Sequence, residues 1–114
     1  MSVIDDLKNF GADVETGLSR CINNEAFYIK MIKMGVSDER FEKLKSVLDE
    51  KNYDEAFEIV HALKGMIGNL ALNPIYEPIC KMTELLRSRT DTDYSELYDE
   101  ILSKRSEILK IMEE

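Results

Sequence analysis

YDEAFEIVHALKGMIGNLAL, residues Tyr53 to Leu72, has apolar residues that return at helical rather than alternating intervals, which predicts one long helix. Each residue advances about 100° around a helix axis, so the faces follow from the sequence. With His61 at zero, Ile59, Leu63, Met66 and Leu70 fall at about 160°, 200°, 140° and 180°, a core-facing stripe opposite the histidine. His61, the only histidine in the chain, is therefore expected to face water. The helix should stop at Asn73 and Pro74, because the residue before a proline is steered away from helical geometry.

Outward from this segment the same periodicity continues. Ser2 and Asp5 read as a helix start, and Val3, Ile4, Leu7 and Phe10 form a short stripe ending at Gly11. Asp13 can cap a second segment whose apolar side is Val14, Leu18, Cys21 and Ile22. Asn24 can cap a mostly buried third helix carrying Ala26, Phe27, Ile29, Ile32 and Met34, ended by Gly35. Ser37 to Lys51 follows with Phe41, Leu44, Val47 and Leu48, and a short break at Asn52 leads into the histidine helix. Beyond it, Pro74 can open a helix reaching about Ser88, with Pro78 marking either a kink or a later start. Tyr94 to Met112 closes the chain through Leu97, Ile101, Leu102, Ile108 and Ile111. The expected fold is all-α: one domain over residues 1–114, an antiparallel four-helix bundle with a short extra N-terminal helix. Bundles serve many activities, so the fold alone leaves function open.

Composition narrows the choices. A chain of 114 residues with 44% apolar content can bury a single core. Its 23 acidic and 15 basic residues give a net charge of −8, which repels nucleic acids and anionic lipid surfaces, so neither is expected as a partner. No apolar run approaches the roughly 20 residues of a spanning helix, and Met1 to Phe10 reads as amphipathic helix rather than export signal. A cytoplasmic location is the expectation. Cys21 and Cys80 form no CxxC pair and read as reduced packing residues. One outward histidine without a Glu-x-x-His pair argues against a metal or haem bundle, and no cofactor is expected.

The residues around His61 are more telling. Gly65 and Gly68 lie within about 40° and 20° of its direction, and Asp54 is also close. Glycine inside a helix costs about 1 kcal/mol relative to alanine, so two on one face need a reason. Steric clearance for a second protein approaching the imidazole is one; close packing of another helix is the other. Lys64, at about 300°, is placed to pair with phosphate oxygens. Phe57, at about 320°, is a candidate apolar docking contact or a packing residue against a neighbouring helix. From Lys64 to Arg89 the basic residues are Lys64, Lys81, Arg87 and Arg89 against Glu77 and Glu84, which makes Lys81 and Arg87 candidate basic contacts.

His61-Ala62-Leu63-Lys64-Gly65, followed by Asn69-Leu70, resembles the signature of histidine-containing phosphotransfer (HPt) domains. The likeness extends to Asp54-Glu55-Ala56 and, more loosely, to Leu18 through Met34 with its Phe27-Tyr28 pair. It implies that His61 is a phosphoacceptor supported by Lys64 and Gly65. The implied protein relays a phosphoryl group between receiver domains of response regulators, with a hybrid sensor histidine kinase as a further partner, and has no autonomous catalytic activity. A neutral imidazole is already nucleophilic near pH 7, given histidine's ordinary pKa of about 6.5. No Gly-rich nucleotide loop or carboxylate cluster for Mg²⁺ is visible, so the partner is expected to bring the metal. Two positions depart from the family pattern: Ala71, where a glycine often follows Asn-Leu, and Thr83, where some members place a glutamine near the imidazole. The competing reading is a phosphorylation-independent adaptor that binds receiver domains. A monomer is expected in either case.

Overall fold

A computed structural model describes residues 2–113. Among them are seven helices and no strand: α1 Val3–Phe10, α2 Val14–Arg20, α3 Glu25–Val36, α4 Arg40–Asp49, α5 Tyr53–Asn69, α6 Asn73–Arg87 and α7 Ser95–Met112. None of these helices is long and apolar enough to cross a membrane.

Short polar side chains set the starts. Ser2 accepts from the amide of Asp5 at 3.1 Å, Asp13 from Thr16 at 3.2 Å and Asn24 from Phe27 at 3.1 Å, satisfying amides that have no partner within their own helix. At α5, Asn52 accepts from the Glu55 amide and donates through its side-chain amide to the Glu55 carboxylate at 3.1 Å. For α4 the expected start at Ser37 is corrected. The Asp38 carboxylate accepts from the Arg40 amide at 2.8 Å and pairs with the Arg40 guanidinium, which holds Asp38 in a turn and delays the helix to Arg40.

Four helices end in the same way. Ile22, Lys51, Ala71 and Arg89 adopt positive φ of 51°, 57°, 58° and 51° immediately after the caps of α2, α4, α5 and α6. In each case the next amide reaches five residues back, from Asn23 to Leu18, Asn52 to Val47, Leu72 to Ile67 and Thr90 to Leu85. This motif stops α5 at Asn69, three residues short of the expected Leu72, before Pro74 acts. Pro74 then sits in the first turn of α6, where its missing N–H costs no bond, and the helix continues through Pro78, so the later start is not observed.

The helices pack with α5 and α6 antiparallel: Asp54 meets Arg89 at one end, and Gly68 faces Tyr76 at the other. α7 lies against α6, α1 and α3, and it is tied to α4 by the Tyr98 hydroxyl, which donates to the Phe41 carbonyl at 2.9 Å, and by Arg105, which pairs with Glu42 at 2.7 Å. Leu7, Ile32, Phe41, Leu44, Leu63, Ile75, Met82, Leu86 and Ile101 are fully buried between the helices. On α5 the buried face also takes in Ala56, Val60 and Ile67, so the core arc is wider than the predicted stripe, while Met66 is half-buried beside Gly35 of α3.

Other apolar assignments fail at the front of the chain. Ile22 is 83% exposed in a left-handed turn after α2, and Phe27 and Met34 are 41% and 58% exposed on α3. That helix buries Ile32, as expected, together with Tyr28, Gly35 and Val36. Gly35 does not end it; the glycine lies within the last turn, packed against Leu70 and Met66.

Candidate functional site

His61 is exposed in the middle of α5, and the ring of Phe57, one turn earlier, stacks against it with centroids 5.5 Å apart and planes 8° from parallel. Two arginines from the far end of α6 cover Phe57 in turn. The guanidinium carbons of Arg87 and Arg89 lie 5.3 and 4.9 Å from its ring centroid, within range for attraction to the ring face. Phe57 is thus half-buried: it packs against the core, as the second of its two readings expected, and its ring also meets the imidazole and the two guanidiniums.

The two arginines are held differently. Arg89 donates to Asp54 at 2.6 Å and to the Leu86 carbonyl at 2.8 Å, which fixes its side chain across the start of α5 and the end of α6. Asp54, expected near the histidine, is engaged there. Arg87 pairs with Glu84 at 2.9 Å. That hydrogen bond, then the charges of Arg87 and Lys64, hold the Glu84 carboxyl below the usual carboxylate range. Lys81 is exposed, and no contact among the described residues joins it to His61.

The two glycines separate. A Cβ built on Gly65 meets no atom within 4 Å, so the space one turn beyond His61 is open. A Cβ on Gly68 would come within 2.7 Å of the Tyr76 ring, so this glycine lets α6 approach α5. Of the two reasons weighed for the pair, packing therefore accounts for Gly68, although both glycines line an open groove with His61, Lys64, Asn69 and Arg20.

That groove brings in residues the helical phase did not indicate. Arg20 donates to the carbonyls of Gly68 and Asn69 at 2.8 and 3.3 Å, and the buried Tyr28 hydroxyl donates to the Leu70 carbonyl at 2.8 Å. The Gly68 carbonyl also accepts from the Ala71 amide at 3.1 Å, whereas the Asn69 and Leu70 carbonyls lie at the end of α5, where the helical ladder has run out. No local pattern in Leu18 to Met34 announces such long-range contacts. Thr83 is buried and donates to the Ile79 carbonyl at 2.7 Å, so its hydroxyl is spent within α6. Among the described residues no group of three or more His, Cys, Asp or Glu side chains is placed to hold a metal ion.

An all-helical protein that presents one imidazole to solvent, with cations beside it and no bulk in front of it, has the form of a phosphoryl carrier. The Hpt domain model matches residues 35–113, more than half of the sequence, and the chain belongs to the Hpt domain family. Hpt domains carry phosphoryl groups in two-component phosphorelays. Comparison with curated proteins and with solved structures gave no match. His61, Lys64, Gly65, Phe57 and Arg87 lie within the matched span; α1, α2 and most of α3 precede it.

Proposed function

We propose that this protein relays a phosphoryl group between receiver domains through His61, as a single cytoplasmic domain built on an antiparallel four-helix arrangement. The observation that carries the reading is the exposed imidazole of α5 with open space at Gly65, in a chain of the Hpt family. A nitrogen of His61 attacks the phosphorus of a receiver's aspartyl phosphate in line. The bond from phosphorus to the carboxylate oxygen breaks, and the aspartate leaves with the electron pair. Transfer to a second receiver reverses these roles. Such chemistry depends chiefly on positioning and charge stabilisation, so a carrier without autonomous catalytic activity suffices when the receiver brings the metal.

Lys64, half-buried one turn from His61, offsets charge on the phosphoryl oxygens, and Arg87, over the Phe57 ring that stacks on His61, adds a second cation. Receiver domains of response regulators dock over Gly65 and the Phe57 edge, and a hybrid sensor histidine kinase can supply such a receiver. The protein acts as a monomer. The test is a reconstituted relay of two receivers, one carrying labelled phosphate. Label should reach the second receiver only when this protein is added, and Lys64→Ala should slow the passage. Equal passage with the His61→Gln variant contradicts the proposal.

A further inference from the structure

Glu84 stands on α6 one turn before Arg87 and accepts its Nε hydrogen bond at 2.9 Å. Among the described residues the Arg87 side chain hydrogen-bonds to Glu84 alone, and both partners are more than half exposed, at 53% and 63%. Arg89 differs, because Asp54 and backbone carbonyls occupy its donors. One arginine is a strut; the other, apart from its place over the Phe57 ring, has a single exchangeable hydrogen-bond partner. Through Phe57, the Arg87 guanidinium is one ring removed from the imidazole. The positive charge of Lys64 also favours the ionised Glu84 carboxyl, after the larger effects of Arg87.

We infer that Glu84 is a placeholder: its carboxylate occupies Arg87 while His61 is bare, and surrenders it to the phosphoryl group when His61 is loaded. The inference rests on His61 being the phosphoacceptor. A phosphoryl group offers three acceptor oxygens and more negative charge than a carboxylate, and a guanidinium binds such oxygens in pairs. An exposed ion pair is weak, so the exchange has little to overcome. The carboxylate therefore lowers the affinity of the site for phosphate, which favours passing the group onward over storing it.

The test uses N-phosphoimidazole as donor at fixed imidazole concentration. His61 attacks phosphorus, the donor's N–P bond breaks and imidazole leaves, so the equilibrium compares two similar N–P bonds and reports the protein surroundings. Loading is read by phosphorus NMR. Glu84→Gln should raise the equilibrium constant about threefold, the scale of an exposed ion pair. The rise should shrink in an Arg87→Gln background and vanish when Lys64→Ala is added. An unchanged constant in Glu84→Gln overturns the placeholder, as does an equal rise in the background lacking both cations. An absent adduct in wild type, or an equal one in His61→Gln, overturns the phosphoacceptor reading itself.

Discussion

The ring of Phe57 lies parallel to the imidazole of His61, 5.5 Å between centroids, with the guanidinium of Arg89 behind it pinned to Asp54 at 2.6 Å. A reactive group on a solvent-facing helix is thereby braced on one side. Phe57→Ala removes the brace and leaves the imidazole to rotate. We expect phosphoryl uptake by His61 to fall about tenfold, because small misplacement of a reacting group is costly. Helical circular dichroism should be retained. An unchanged uptake rate would make the stack incidental.

Gly65 and Gly68 should respond in opposite ways to the same substitution. Gly65→Ala meets nothing and should stabilise the protein by about 1 kcal/mol through helix propensity. The larger Gly65→Gln should keep the fold yet slow transfer from a receiver by crowding the imidazole. Gly68→Ala must displace Tyr76 and should cost about 1–3 kcal/mol. Thermal melts and transfer rates for the three variants separate clearance from packing; wild-type transfer by Gly65→Gln would leave clearance without support.

Ala71 holds φ at +58° at the end of α5, a conformation that L residues adopt at a cost of roughly 1–2 kcal/mol and glycine adopts without it. Ala71→Gly should raise stability by about 1 kcal/mol in urea titration. A loss would show that the Ala71 methyl, which is buried, contributes more than its backbone conformation costs.

Burial pushes the Tyr28 hydroxyl up to about 12, above the ordinary tyrosine value near 10. The folded chain therefore holds this proton more tightly than the unfolded chain. The resulting contribution to stability is whole below about pH 10 and is lost as pH rises towards about 12. Tyr28→Phe also leaves the Leu70 carbonyl without its donor and should cost about 1–2 kcal/mol at neutral pH. Denaturant midpoints should fall between pH 10 and 12 in wild type, and this step should be smaller in Tyr28→Phe.

Local signals in the sequence carried most of the helices. Periodicity placed all seven segments, and Asp13, Asn24 and Asn52 set boundaries through caps whose chemistry is visible in short stretches. The exposure of His61 followed from helical phase alone, since phase is a property of one element. What phase cannot supply is the identity of a neighbour. Tyr76 against Gly68, Arg20 on the end of α5 and Arg89 on Asp54 all join positions distant in sequence. Ile22 misled for a related reason: its apolar character fits a helix face, but the chain turns left-handed there and points it outward. The glycine that the family resemblance suggested at Ala71 now has a physical basis in the αL turn that ends α5.

The most direct measurement is the chemistry of His61 itself. A receiver domain phosphorylated on aspartate, mixed with the wild-type protein, should lose its phosphate to this chain as an acid-labile, base-stable adduct whose phosphorus NMR signal is that of phosphohistidine. His61→Gln, folded by circular dichroism, should accept none. An adduct of equal size on His61→Gln, or none on the wild type with any receiver of the relay it serves, would contradict the assignment of His61 as the phosphoacceptor.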